Sequence, residues 1–505
     1  MKRKTWSTLA NTILLVLPLL LSAVLGVANV SADSTDTVNV TLHKRVFDEG
    51  QVPANKTNTG DVDSSFGGTP LAGVTFTAYD VTDHYLALRK GGQTAEEATQ
   101  AVQKDAVDKA PSYANQVGQD VTKGADGTVT FSNLASKDGD KDKVYLFVET
   151  NSPTDITQKA DPIVLALPIY KTGSDSEINT NIHVYPKNEK STAITKDLND
   201  KSKTALEVTL GDSKVYNATF GQTFGYQLQI AVPWNIADKL TFNVVDTPNL
   251  GIDDDASTVQ VAGLTKGTDY KVEASAANDQ NGKGFKITFD TSTAAVKAAA
   301  GKKLTITYDA TLTNAAVPDK ALNNTATLNI DNGTGVTSTP TQGPEIYTGG
   351  INFVKKDKQS LKTLAKAEFQ LVKLNANGDK VAYATQASDG SYNWGTTADG
   401  ATTYTSDSKG AISLKGLEYS TKLSDGQSYA LVETKAPEGY ALLTAPVKFT
   451  VTQGSFGASQ LITNIKKGIL PSTGGSGIYL FLIIGALMMG AAYLWNKRNK
   501  KEQNI

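Results

Sequence analysis

The sequence predicts an all-β protein built of three tandem antiparallel β-sandwiches. Between two apolar ends, the 505-residue chain consists largely of short runs rich in Thr, Val and Tyr that alternate apolar and polar side chains. This is the pattern of half-buried strands. Turn dipeptides such as Asp126-Gly127 and Asp389-Gly390 separate the runs, as expected for hairpins. The length suits about three domains of ordinary size.

The first 32 residues have the features of a secretory signal peptide. Three basic residues at 2–4 precede an apolar stretch at 13–27, and Val30-Ser31-Ala32 provides a small-residue cleavage site before Asp33. We therefore expect a secreted protein whose mature chain begins at Asp33.

Two Pro-containing segments divide the remaining chain. Pro186 with the charged run 187–190 marks one boundary, and the Pro- and Gly-rich stretch 340–350 marks the other. We expect domains at 33–188, 189–347 and 348–470, followed by a C-terminal segment at 471–505.

One helix is expected inside the first domain. Thr94 and Glu97 have the spacing of a capping box, and Pro111 ends a helical pattern that reaches about Lys109. The apolar face of this pattern contains only Ala and Val, so we expect a small insertion packed on the surface of the domain.

Composition excludes several functions. The net charge is −2 with no basic block outside the two ends, which argues against nucleic acid as a partner. Cysteine is absent and there are three histidines, so neither disulfides nor a transition-metal site is expected.

Ionisable side chains lie on apolar strand faces in all three domains. Side chains alternate between the two faces of a strand, so counting by two shows which residues share a face. An unpaired charge on a buried face costs several kcal/mol. Each domain has one such lysine, one acid and one asparagine on a late strand: Lys44, Glu149 and Asn181; Lys196, Asp246 and Asn324; Lys355, Glu433 and Asn464. Asn181 fits least well, because Ile182 and Val184 lie on the opposite face.

These side chains are suited to forming an amide bond. Burial lowers the pKa of a lysine and raises that of a carboxylic acid, which favours a neutral amine beside a protonated acid. The amine is then a nucleophile, and the acid can polarise an Asn carboxamide and transfer protons while ammonia leaves. The product is a cross-link between strands that constrains the unfolded chain as a disulfide does.

Longer motifs around these residues resemble the collagen-adhesin domains of Gram-positive pilins. The third domain is similar to the B-type, including its E-box, and the middle domain is similar to the A-type, in which an Asp replaces the Glu. The family usually has Gly where Lys366 or its neighbour stands. The resemblance implies immunoglobulin-like sandwiches in the order B-type, A-type, B-type. It rests on residues 353–357, 364–369 and 429–440, and on 194–197, 244–247 and 324–328.

The segment Tyr185-Pro186-Lys187-Asn188 resembles the pilin motif of shaft subunits. Proline removes a backbone donor and blocks strand pairing, so we expect Lys187 on an exposed edge. The alternative is an ordinary lysine in an interdomain linker.

The C-terminus resembles the cell-wall sorting signal of Gram-positive surface proteins. An apolar run at 478–495 is long enough to cross a bilayer, and basic residues follow it. The resemblance implies that a sortase cuts between Thr473 and Gly474 and passes the threonyl group to an amine. The sorting motif itself is Leu470, Pro471, Ser472, Thr473 and Gly474.

Together these resemblances imply a shaft subunit of a covalent pilus on the cell wall, joined through Lys187 and Thr473. The partners implied are a pilus-specific sortase, a housekeeping sortase, identical subunits, accessory tip and basal pilins, and peptidoglycan. No cofactor and no external-substrate enzyme activity are expected. The alternative is a monomeric, wall-anchored adhesin, which would share every feature except a reactive Lys187.

A calcium loop is a competing interpretation of one acidic segment. Asp138, Asp140, Asp142 and Glu149 match the ligand positions of an EF-hand loop, but Lys143 replaces the required glycine. No flanking helices are apparent, so we expect a charged turn and no metal.

Overall fold

The computed structural model describes residues 37–468, except 54–57, 108, 154–155, 211–212, 332 and 334, together with 484 and 487–489. The predicted signal peptide and the sorting motif therefore lie outside the described residues, as does nearly all of the apolar run 478–495. No helix in the described part of the chain is long and apolar enough to cross a membrane. The chain divides into two compact units, Met1–Tyr347 and Thr348–Ile505.

Strands dominate the described chain, which confirms the all-β fold class. The region expected to form the first domain contains strands β1 (Thr37–His43), β2 (Arg45–Asp48), β3 (Thr69–Pro70), β4 (Thr75–Asp80), β5 (Asn115–Val121), β6 (Thr128–Ala135), β7 (Lys137–Asp138), β8 (Lys141–Asp142), β9 (Val144–Asn151), β10 (Ile156–Gln158), β11 (Ile163–Ala166), β12 (Asn181–Val184) and β13 (Lys187–Lys190), with helices α1 (Thr82–Lys90) and α2 (Ala95–Asp105).

Two sheets of this region enclose a common apolar core. Their strand orders are β12-β1-β6 and β11-β9-β4-β5, and a third sheet has the order β10-β13-β2-β3. Leu42 of β1, Phe76 of β4 and Phe147 of β9 are almost completely buried between them. Strand β12 runs parallel to β1, whereas β13 runs parallel to β2.

The helical insertion has two helices, of which the sequence predicted one. The capping box is confirmed: the Glu97 backbone donates to Thr94 Oγ1 at 3.1 Å, and the Thr94 backbone donates to Glu97 Oε2 at 2.7 Å. Helix α2 ends at Asp105, short of the expected Lys109, and its buried Ala98 and Val102 belong to a cluster with strand β9. Helix α1 was missed because its N-cap residue is Val81, whose side chain cannot accept a hydrogen bond and therefore gives no capping signal in the sequence.

The rest of the first unit is a second sandwich. Its main sheets have the orders β14-β17-β23-β19 and β21-β22-β18-β24-β25, with β20 beside β23, and a small sheet is ordered β15-β16-β26. The elements are β14 (Ile194–Leu198), β15 (Glu207–Leu210), β16 (Ser213–Asn217), β17 (Thr223–Ala231), β18 (Thr241–Pro248), β19 (Ile252–Asp254), β20 (Gln260–Val261), β21 (Tyr270–Ser275), β22 (Gly284–Phe289), β23 (Lys303–Leu312), β24 (Asn324–Asp331), β25 (Val336–Gln342), β26 (Ile346–Tyr347), α3 (Asp200–Leu206), α4 (Ala294–Ala298) and a 3-10 turn, Ile236–Asp238.

The second unit contains a third sandwich, with sheets β32-β27-β35 and β30-β29-β28-β33-β34, and β31 pairs with β28. Its first and last strands are parallel neighbours, with Lys355 opposite Ile462. The elements are β27 (Gly349–Asp357), β28 (Glu368–Leu374), β29 (Lys380–Gln386), β30 (Tyr392–Gly395), β31 (Thr403–Thr405), β32 (Ala411–Leu417), β33 (Ser428–Lys435), β34 (Val447–Phe449), β35 (Ser459–Asn464) and two 3-10 turns, Ser420–Lys422 and Ser455–Gly457.

Candidate functional site

In the third sandwich, the expected lysine, acid and asparagine meet in the core. Lys355 of β27 donates from Nζ to Asn464 Oδ1 on β35, and the same nitrogen lies 3.7 Å from Glu433 Oε1 on β33. Asn464 Nδ2 donates to both Glu433 oxygens, each at 2.9 Å. The side chains of Lys355 and Glu433 are fully buried. The acid therefore contacts both groups that would react.

Burial also makes the amine of this cluster easier to deprotonate. Removal from water lowers the pKa of Lys355 to about 8, and the attraction of Glu433 only partly opposes this effect. A substantial fraction of the lysine is therefore neutral, and hence nucleophilic, close to physiological pH.

The first sandwich has an equivalent cluster, but its asparagine is Asn188 and not Asn181. Lys44 Nζ donates to Glu149 Oε2 at 2.8 Å and also to Asn188 Oδ1. Asn188 Nδ2 donates to the second oxygen, Glu149 Oε1, at 2.7 Å. Burial lowers the pKa of Lys44, with Glu149 opposing. One glutamate therefore bridges the amine and the carboxamide, as in the third sandwich.

Asn181 was the wrong choice because the chain changes sheets between the two asparagines. Asn181 is exposed on β12 and accepts a hydrogen bond from Asn39 at 3.1 Å. Strand β12 ends at Val184, and after Pro186 the chain enters β13 in a different sheet. Counting by two along β12 therefore does not predict which residues of β13 point inward.

The middle sandwich buries the predicted residues with two more, and Lys196 and Asn324 each contact a different acid. Lys196 Nζ of β14 donates to both Asp246 oxygens of β18, at 2.8 and 2.7 Å. Asn324 Nδ2 of β24 donates to Asp254 Oδ1 at 2.9 Å and to the Tyr308 hydroxyl at 3.2 Å. Burial lowers the pKa of Lys196, and Asp246 opposes this.

Sequence reasoning missed Asp254. It lies in an acidic run, 253–255, that follows Gly251 and suggests an exposed turn. Its position two residues after Ile252 could have indicated burial, because residues two apart in a strand share a face and both are buried in β19.

Lys187 is less exposed than its motif suggested. It pairs with Arg45 in the sheet, is half-buried, and donates from Nζ to the Pro53 carbonyl at 3.1 Å. The amine borders a cavity of about 640 Å³ that also touches α1, α2 and β11. Burial lowers the pKa of Lys187, and Asp161 in the same cavity opposes this.

The acidic segment does not form a set of converging ligands. Asp138 lies 3.4 Å from Lys143 Nζ, and Asp142 lies 3.4 Å from Lys137 Nζ across the β7-β8 hairpin. Glu149 points into the core beside Lys44. Within the described residues, no group of three or more His, Cys, Asp or Glu side chains is placed to hold a metal.

Four protein-family models match successive parts of the chain. They are the Gram-positive pilin subunit D1, N-terminal domain, at residues 35–189, the Sgo0707 N2 domain at 203–341, the prealbumin-like fold domain at 349–466, and the LPXTG cell wall anchor motif at 462–504. With the relatives described next, these matches support the class: a Gram-positive major pilin, a shaft subunit of a surface pilus attached to the cell wall.

Two curated relatives match nearly the whole chain. Fimbrial subunit type 2 of Actinomyces naeslundii is 26% identical over 525 residues, covering 92% of this chain and 91% of that protein. Fimbrial subunit type 1 of Actinomyces viscosus is 25% identical over 519 residues, covering 93% and 91%. The full-length RrgB pilus protein from Streptococcus pneumoniae has the same fold, with a TM-score of 0.51 and 18% identity over 87% of this chain and 99% of its own.

Proposed function

We propose that a pilus-specific sortase links these subunits head to tail, through an amide between the Lys187 amine of one subunit and the Thr473 carbonyl of the next. The supporting observation is the position of Lys187. Its amine is held at the border of a cavity large enough for a peptide segment, and its lowered pKa favours the neutral, nucleophilic form. A housekeeping sortase would then transfer the finished polymer, with its accessory tip and basal pilins, to peptidoglycan.

We also propose that each sandwich carries a lysine–asparagine amide. The pairs are Lys44 with Asn188, Lys196 with Asn324, and Lys355 with Asn464. The observation that carries this part is the contact of Glu433 with both Lys355 and Asn464 in a site closed to water. In each reaction a lysine amine replaces the carboxamide nitrogen, and one ammonia leaves.

Export and anchoring complete the proposal. Residues 1–32 direct secretion and are removed, and the apolar run 478–495 holds the precursor in the membrane until sortase cuts after Thr473.

The decisive experiment is a boiled, denaturing gel of a cell-wall extract probed for this protein. A ladder of high-mass species indicates a covalent polymer. A single band indicates the alternative, a monomeric wall-anchored adhesin, and contradicts the role of Lys187.

A further inference from the structure

The middle sandwich differs from the outer two in how acids contact its reacting groups. In each outer sandwich a single glutamate contacts both the lysine and the asparagine. In the middle one, Asp246 binds Lys196 with both oxygens, and a separate acid, Asp254, binds Asn324. Aspartate is shorter than glutamate by one methylene group, so a second carboxyl group takes the place that the longer side chain fills elsewhere.

Charge balance assigns different protonation states to the two aspartates. Lys196 supplies one buried positive charge, which the carboxylate of Asp246 neutralises at 2.7 Å. A second carboxylate would leave the core with an uncompensated negative charge, which costs several kcal/mol. Burial and the neighbouring Asp246 raise the pKa of Asp254 well above its usual range. Asp254 is therefore a neutral carboxylic acid.

The contacts of Asp254 fit this state. Its Oδ1 accepts the hydrogen bond from Asn324, and its carboxyl group also interacts with that of Asp246. Among the described residues, no donor reaches Asp254 Oδ2. A proton on Oδ2 removes this unsatisfied acceptor, and a protonated carboxyl group can lie beside the Asp246 carboxylate without charge repulsion.

We propose that Asp254 is a second catalytic acid of the middle sandwich, which binds the Asn324 carboxamide and protonates its departing nitrogen while Asp246 accepts a proton from Lys196. The inference rests on the proposed cross-link between Lys196 and Asn324. The Lys196 ammonium first gives a proton to Asp246, and the neutral amine attacks Asn324 Cγ. Asp254 then protonates the Asn324 nitrogen, the bond from Cγ to that nitrogen breaks, and ammonia leaves. The proton still carried by the attacking nitrogen returns to Asp254, which leaves an amide, ammonia and two neutral carboxyl groups.

The test is a time course of cross-linking in the full-length chain after pulse labelling. Tryptic peptides are separated by mass spectrometry, and the joined peptide of Lys196 and Asn324 is compared with its linear forms. Asp254→Asn has nearly the same shape but cannot donate the acidic proton, so the rate is expected to fall by about 100-fold or more. The control is Asp269→Asn, a buried aspartate of the same sandwich, which is expected to react like wild type.

A third variant separates chemistry from folding. Asp254→Glu keeps a carboxyl group, so it is expected to restore cross-linking even where Asp254→Asn destabilises the sandwich. Complete cross-linking at the wild-type rate in Asp254→Asn overturns the inference, and so does an equal loss in Asp254→Glu and Asp254→Asn. Linear Lys196 and Asn324 peptides in wild type would instead contradict the proposed cross-link itself.

Discussion

Lys187 and Asn188 are consecutive residues of one strand, and their side chains lie on opposite faces of it. The Lys187 amine contacts the Pro53 carbonyl beside the surface cavity, whereas the Asn188 carboxamide is buried against Lys44 and Glu149. The alternation of side chains along a strand accounts for this arrangement. The proposed polymer joint and the proposed cross-link of the first sandwich are thus one peptide bond apart.

Replacing the acceptor lysine tests the polymer joint. Lys187→Ala is expected to abolish the high-mass ladder on a boiled denaturing gel, because it removes the amine that the proposed joint requires. Lys190→Ala, on the same strand, is the matched control and is expected to leave the ladder intact. A full ladder in Lys187→Ala would contradict the assignment.

The partner of Lys44 is tested by a pair of asparagine variants. Each proposed cross-link makes the mature protein lighter than its sequence by one ammonia. Asn188→Ala is expected to show one such loss fewer than wild type, each mass being compared with that of its own sequence. Asn181→Ala is expected to show the same number of losses as wild type. Loss of the cross-link is expected to lower the free energy of unfolding by roughly 2–4 kcal/mol, by analogy with a disulfide. An unchanged ammonia count in Asn188→Ala would show that the bond does not form there.

The first sandwich also shows which of its site residues strand alternation could predict from the sequence and which it could not. Alternation placed Lys44 and Glu149 on buried faces because Leu42 and Phe147, two residues before them, are buried on the same faces. The asparagine was misassigned because the alternation along β12 does not continue into β13, which lies in a different sheet and begins immediately after Pro186. Pro186 lies between the two strands, and Lys187, which follows it, begins the paired strand β13.

The pH dependence of stability tests the third sandwich. In Asn464→Ala, Lys355 cannot react and remains a titrating amine. Its folded pKa, about 8, lies below its ordinary value of 10.5, so the folded state binds fewer protons than the unfolded state between these values. The free energy of unfolding is therefore expected to rise with pH across this window, by at most about 1.4 kcal/mol per pH unit.

Wild type is the control for this titration. Its Lys355 is expected to be an amide, which does not titrate, so this rise is absent from urea unfolding curves measured at several pH values. The same pH slope in wild type and Asn464→Ala would indicate that Lys355 is unreacted in both.

A single backbone position offers a test of the resemblance to collagen-adhesin domains. Lys366 has a φ of 63°, in the left-handed region that favours glycine. Lys366→Gly is expected to stabilise the third sandwich by about 1 kcal/mol, measured as a higher midpoint of urea unfolding. Lys362→Gly, in the same loop but without a positive φ, is expected to give no increase in this midpoint. A lower midpoint in Lys366→Gly would contradict this explanation.

The middle sandwich shows where strand alternation no longer predicts which residues are buried. Lys196, Asp246 and Asn324 were predicted from strand alternation, and each has the burial expected of it. Asp254 was not predicted because its strand has only three residues, too few for alternation to stand out from a polar turn. Its contact with Asn324 depends on long-range pairing of β19 with β23, which no local pattern specifies.

The adjacency of Lys187 and Asn188 determines which parts of a proposed shaft bear tension. A pull transmitted through Lys187 and Thr473 enters the subunit at the last strand of the first sandwich, so residues 37–186 lie outside the covalent path that bears the load. Beyond Lys187, the proposed cross-links of the two later sandwiches would carry the pull directly from lysine to asparagine. Only 188–196, 324–355 and the stretch after Asn464 are then free to lengthen. The first sandwich would thus bear no tension, and its proposed cross-link would protect it against unfolding and proteolysis instead of stretching.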